Sequence, residues 1–176
     1  MVATIHPNTA AVPPDLIIRQ ARIDDLRQME WDGAYINFRR VFADTYRAMQ
    51  RGQRLILIAE KQAILAGQVF IQFSSQDPLF ADGMLRGYLY SFRVKPKYQR
   101  QGIGTALLHA AEDILRDRGY HHGIIAVAKD NPRAQRQYER EGYRVFTEDP
   151  GEWQYYDHLS ILRQVIEPCW VLEKLL

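Results

Sequence analysis

One cysteine, Cys169, stands in 176 residues, so the chain has no internal disulfide and a reducing compartment is the default expectation. Long apolar runs are missing, and nothing approaches the length of a membrane span. The first residues, MVATIHPNTAAVPPD, lack a basic start followed by an apolar stretch, so no signal peptide is expected. A marked excess of charge of one sign is also missing. The net charge of +2 gives no general attraction to nucleic acid. These absences lead by elimination to a cytoplasmic protein with no membrane or nucleic-acid partner. The chain shows no internal repeat and no low-complexity segment. Its 47% hydrophobic and 25% charged residues suit one core.

Residues 1–15, with Pro7, Pro13 and Pro14, are expected to be a disordered leader, and residues 16–176 a single domain. Leu16 to Arg22 is a first strand. Asp24 and Asp25 suit a helix N-terminus, with Leu26 and Met29 facing inward. The pattern breaks at Gly33 and resumes from Phe38 to Gln50. The segment between, with Trp31 and Tyr35, either lines an acceptor site or packs on the core. Leu55–Glu60 and Ile64–Phe73 make a hairpin across Lys61-Gln62-Ala63. A turn-rich loop follows.

The chain is organised around Tyr88 to Leu108, YLYSFRVKPKYQRQGIGTALL. Tyr88–Val94 is aromatic and β-branched and ends before Pro96, as a strand does. Ile103, Leu107, Leu108, Ala111, Ile114 and Leu115 recur at helical spacing. Between them lies Gln99-Arg100-Gln101-Gly102-Ile103-Gly104-Thr105. A helix start leaves its first N–H groups unpaired, and Gly102 and Gly104 let an anion approach them. From Gly83 to Ala111 the chain carries Arg86, Arg93, Lys95, Lys97 and Arg100 and no acid. An anionic ligand follows. The dinucleotide pattern fails because Leu107 stands in place of the third glycine, and no Gly-Lys-Ser/Thr of a P-loop is present.

Downstream, His122–Ala128 is a near-continuous apolar run that suits a strand buried on both faces. Asn131-Pro132 is a helix start, and the helix stops at Gly142. Tyr143–Thr147 is a strand. Residues 151–176 are expected to form one long hairpin turning near Leu159-Ser160, with Pro168 marking its second arm as an edge or bulged strand.

Two stretches together resemble the Gcn5-related N-acetyltransferases (GNAT). They are Gln99-x-x-Gly102-x-Gly104 after Val94-x-Pro96, and Asn131-Pro132-x-Ala134-x-x-x-Tyr138-Glu139-x-x-Gly142-Tyr143. The resemblance covers roughly residues 16–149. It implies an α/β fold: a mixed, mostly antiparallel sheet splayed at a cofactor cleft and flanked by about four helices. It also implies acetyl-CoA as cosubstrate, with no metal, and transfer to a primary amine of a peptide, protein or small molecule. Monomer and homodimer both stay open. The backbone of Phe92, Arg93 and Val94 would pair with the pantetheine arm. The amides of Gln101, Gly102, Ile103, Gly104 and Thr105 would hold the pyrophosphate, with Gln99 and Arg100 at the mouth. Asn131 and Ala134 would border the arm, and Tyr138 would protonate the leaving thiolate.

The central strand offers no Asp or Glu as a base. Neutralising a lysine amine at pH 7 costs roughly 4.6 kcal/mol, against about 1–1.4 kcal/mol for an α-amine. A site without a strong base therefore leans towards α-amines. Glu60, Asp157, His158 and Glu167 are the remaining base candidates. Trp31, Tyr35, Tyr90, Asp157 and Glu167 are the acceptor-side candidates. The rival expectation is a CoA-binding sensor or interaction module without catalysis.

Overall fold

The computed structural model describes residues 13–176. Most of the expected disordered leader lies outside the described residues. In chain order the elements are β1 (Leu16–Gln20), α1 (Asp25–Gln28), α2 (Arg39–Gln50), β2 (Arg54–Lys61), β3 (Ile64–Gln72), β4 (Arg86–Val94), α3 (Ile103–Asp117), β5 (His122–Ala128), α4 (Pro132–Arg140), β6 (Arg144–Asp149), β7 (Glu152–Tyr156), β8 (Leu162–Ile166) and β9 (Cys169–Leu175). Seven strands form one sheet in the order β1-β2-β3-β4-β5-β9-β6, and β7-β8 form a separate ribbon. All pairs are antiparallel except β4–β5.

Alternation along the strands builds two apolar layers. Leu57, Val69, Ile71 and Leu89 join Leu107 and Leu115 of α3 on one face. Ile56, Ile58 and Phe70 join Met29 and Phe42 on the other, under α1 and α2. Both faces of β2 and β3 are thus covered, which explains their unbroken apolar runs. Gln62 and Ala63, both with positive φ, close the β2–β3 hairpin.

The tail differs from the single long hairpin that its sequence suggests. Its turn does lie at 157–161, with Tyr156 opposite Leu162. The second arm, however, is cut at Pro168, which has no N–H to continue the ladder. Its carbonyl instead accepts from Lys129 N–H at 2.9 Å. Beyond Pro168 the chain enters the main sheet. Strand β9 lies between β5 and β6, so it is an interior strand and not an edge. Its Val171 and Leu172 are fully buried.

Candidate active site

Strands β4 and β5 pair only from Arg86–Leu89 with His122–Ile125. Beyond Leu89 they part. Residues Tyr90 to Val94 stay on β3 through Phe70–Tyr90, Gln68–Arg93 and Gly67–Val94, with a bulge at Ser91, whose φ is 50°. The other edge of this segment faces a cleft. Strand edges offer N–H and C=O groups to an extended ligand, as one more strand would.

The glycine turn lies at one end of this cleft. Arg100 (φ 63°) and Gly102 (φ 76°) bend the chain into α3. Only Gly102 of the two takes that conformation without a Cβ penalty. It caps the helix with no side-chain hydrogen bond, and no acidic residue lies in the first turn. The first helical bond runs from Ala106 N–H to Gly102 O at 2.9 Å. The amides of Ile103, Gly104 and Thr105 therefore point out of the helix start, towards a position suited to an anion. A side chain on Gly104 would come within 3.3 Å of Gln137 Nε2, so glycine also sets the width here.

Helix α4 forms the opposite wall. Asn131 Oδ1 accepts from Ala134 N–H at 3.1 Å, and Pro132 follows at the first helical position. The Asn131 carbonyl oxygen is thus committed to the cap, and its amide N–H groups are what it retains for a ligand. The cleft holds about 670 Å³ and is lined by Phe92, Val94, Gln99, Arg100, Gly102, Gly104, Thr105, Asn131, Ala134 and Tyr138 among the expected residues. That volume suits a cofactor-sized ligand.

The structure adds Arg133, Gln137, Arg140 and Glu141 to the lining. They share the inward stripe of α4 with Ala134 and Tyr138, a period visible in the sequence once Tyr138 is placed. Glu141 accepts from Thr105 Oγ1 at 3.2 Å and contacts His109 Nε2 at 2.9 Å, tying α4 to α3. The basic island is only partly used as its sequence suggests. Arg100 lines the cleft, but Arg86 pairs with Glu173 at 3.3 Å and Arg93 leaves on the other face of the sheet. The cleft draws its further positive charge from Arg133 and Arg140. Gln101 and Ile103 turn their side chains elsewhere. Gln101 bonds Lys97 O and Lys61 Nζ, and Ile103 is buried, which leaves their backbone amides for a ligand.

The Tyr138 ring packs 6.0 Å from Phe92 and 6.1 Å from Tyr143. Its hydroxyl has no hydrogen-bond partner among the described residues. Burial pushes the phenol well above its usual pKa, so it stays protonated and available as a donor.

The acceptor-side candidates fare unequally. Tyr35 and Trp31 meet edge-to-face at 5.0 Å in the α1–α2 loop. Phe38, at its end, stacks on Tyr155 of the ribbon at 4.8 Å. Tyr90 lies under this layer and its hydroxyl accepts from Arg54 at 2.9 Å. Glu167 is exposed. Asp157 does not fit the part of substrate ligand or base. It is 0% exposed and accepts from Leu159 N–H, Ile161 N–H and Arg163, which close the ribbon turn. Glu60 is likewise engaged, with Arg19. His158 keeps a buried Nδ1 without a partner. Cys169 is 7% exposed, and burial raises its thiol pKa, so it is a poor nucleophile. No cluster of three or more metal-ligating side chains occurs among the described residues. No helix there is long and apolar enough to cross a membrane.

The residues present fit a long anionic ligand: orphan amides at one end, an open strand edge along the length, and three arginines. Known proteins resemble the chain in sequence and in fold. The chain is 36% identical over 59 residues to N-alpha-acetyltransferase 30 of Schizosaccharomyces pombe, a match covering 34% of this chain and 39% of that protein. Its fold is similar to that of RimL, a ribosomal L7/L12 alpha-N-protein acetyltransferase, with TM-score 0.72 and 16% identity over 100% of this chain and 96% of that one. It is also similar to the PaiA N-acetyltransferase of Thermoplasma acidophilum, solved in complex with coenzyme A, with TM-score 0.66 and 19% identity over 92% and 99% of the chains. The model of the acetyltransferase (GNAT) family matches residues 23–143, and the chain belongs to that family of acyltransferase enzymes.

Proposed function

We propose that this chain is an N-acetyltransferase that passes an acetyl group from acetyl-CoA directly to a primary amine, with both substrates bound together. One observation carries the reading. The open edge of Tyr90–Val94 and the unpaired amides of Ile103 to Thr105 line the same cleft. An acyl-CoA, with a peptide-like arm and a pyrophosphate, matches both at once. When bound, it supplies an activated thioester carbonyl.

The chain's residues then have distinct tasks. The amides at the start of α3, with Arg100, Arg133 and Arg140, hold phosphate charge. The backbone of Phe92 to Val94 aligns the arm and turns one N–H towards the carbonyl oxygen. Tyr138 donates a hydrogen bond to the departing sulfur. Full proton transfer from so weak an acid to a thiolate is uphill, so the hydrogen bond is most of its role. Cys169 takes no part, and no covalent acyl-enzyme forms.

Among the described residues the one carboxylate lining the cleft, Glu141, is held by Thr105 and His109, so the cleft offers no free carboxylate. The acceptor is therefore an amine of low pKa, an α-amine of a peptide, protein N-terminus or small molecule. The same missing carboxylate favours a second reading, a CoA-binding sensor without catalysis. CoA release from acetyl-CoA against a panel of amines and peptides separates the two. Turnover on any member discards the sensor. Tight CoA binding with no turnover on a broad panel discards the transferase.

A further inference from the structure

Behind the cleft, on the α1–α2 side of the sheet, several buried polar atoms lack partners. Arg93 adjoins Phe92, a cleft residue, but its side chain leaves on the opposite face. There its guanidinium carbon lies 4.1 Å over the Tyr35 ring and 5.3 Å over Phe38. Its Nη1 is shut off from solvent with no hydrogen-bond partner. No carboxylate lies within ion-pair distance of it among the described residues. Burial lowers the pKa of this guanidinium, and Tyr35 and then Glu167 oppose that through space. Gln68, directly across the strand pair from Arg93, is 0% exposed, and neither its Nε2 nor its Oε1 has a partner. Trp31 Nε1 is another orphan donor, in the loop that carries Tyr35.

Orphaned buried polar atoms are costly, although Arg93 as a whole is only half-buried. The Tyr35 and Phe38 rings lie against the guanidinium, and the N–H groups of Nη1 are left without a partner. Those N–H groups match an oxyanion. The location is also informative. Residues 90–94 form the segment where β4 has left β5. With the cosubstrate on the α3–α4 side, an amine reaches the carbonyl through this gap from the α1–α2 side. It then passes Arg93.

We propose that Arg93, with Trp31 and Gln68, receives a carboxylate carried by the acceptor, so that the substrate is an acidic amine. The inference rests on the acetyl-transfer reading and names its substrate class. The carboxylate belongs either to the first side chain of a peptide or to a free acidic amino acid. A polyamine would bring a second positive charge to a cation that already lacks a partner.

The test compares peptides beginning with Glu or Asp, the same peptides beginning with Ala, free glutamate and aspartate, and spermidine. Wild type is expected to favour acidic over neutral peptides in kcat/KM by about tenfold or more, the scale of one charge-assisted hydrogen bond. Arg93→Met should erase that ratio and Arg93→Lys should restore part of it. Trp31→Phe, which keeps the ring and removes the donor, should raise KM for the acidic peptide more than it lowers kcat. Equal rates on acidic and neutral peptides, or a ratio that survives Arg93→Met, would overturn the proposal. Thermal melts and CoA titration check each variant's fold, and Trp31→Phe decides if Arg93→Met fails that check. If nothing is acetylated, calorimetry of the Glu-initiated peptide on CoA-saturated protein decides instead. Arg93-dependent binding would uphold the carboxylate site while the transfer reading fell. Binding indifferent to Arg93 would overturn the site.

Discussion

Asp25 shows how a residue takes its role from neighbours far along the chain. In the sequence it is an acid at a helix start. In the fold it is 3% exposed and accepts from Arg19 at 2.7 and 2.9 Å and from Arg22 N–H at 2.6 Å. Burial pushes its pKa up, but these bonds outweigh it and the net shift is downward. Its contribution is therefore complete above the unfolded-state value of about 3.9 and is lost as pH falls through the lower folded value. Asp25→Ala should cost about 3–5 kcal/mol at pH 7, because Arg19 is left buried with only Glu60. Urea denaturation at pH 7 should show that gap, and at pH 2–3 it should shrink. Tyr138→Phe belongs to the same scale. With a phenol too weakly acidic to give up its proton readily, turnover should fall by about ten- to a hundredfold while CoA affinity holds, as steady-state kinetics and CoA titration would show. The place of Tyr138 on the cleft wall was legible because its spacing from Asn131 and Gly142 is local. The Arg19–Asp25–Glu60 cluster was not, because it joins β1, α1 and β2 across 41 residues.

Among elements, the strand–turn–helix unit was written almost completely in its own residues. Gly102 supplies the left-handed turn, Pro96 ends the strand, and Asn131-Pro132 starts the next helix. The tail was legible as strands but not as pairings, since partner choice depends on residues elsewhere. Its apolar content alone could not tell an outer arm from the interior strand β9. The β7–β8 ribbon depends on one close approach at its base. Gly151 has φ 68°, and a Cβ there would fall 1.8 Å from Glu167 O. Gly151→Ala must therefore part the two strands, breaking the Glu167 N–H to Gly151 O bond of 3.1 Å. A loss of about 2–4 kcal/mol is expected, read as a lower Tm. Because Trp153 and Tyr155 carry the stacking on Phe38, acceptor KM should rise as well.

At the scale of the whole molecule, one sheet carries an apolar layer on each face, and the proposed reaction uses both sides of the gap between β4 and β5. With no free carboxylate lining the cleft among the described residues, the pH dependence of turnover should be that of the acceptor itself. For an α-amine, kcat/KM should rise tenfold per pH unit and level off near pH 8. A plateau already at pH 6–7 would reveal an enzyme base, with His158 the first residue to examine. The position of β9 has a further consequence, for the order of biosynthesis. Strands β1 to β4 pair with sequence neighbours and can collapse while the chain is still being made. The wall that carries Tyr138 is different: among the described residues β6, the strand that follows α4, pairs into the sheet only through β9, which comes after it in the chain. A chain ending before Cys169 should hold a finished α3 turn and still fail to retain CoA, so binding competence waits until β9 is made.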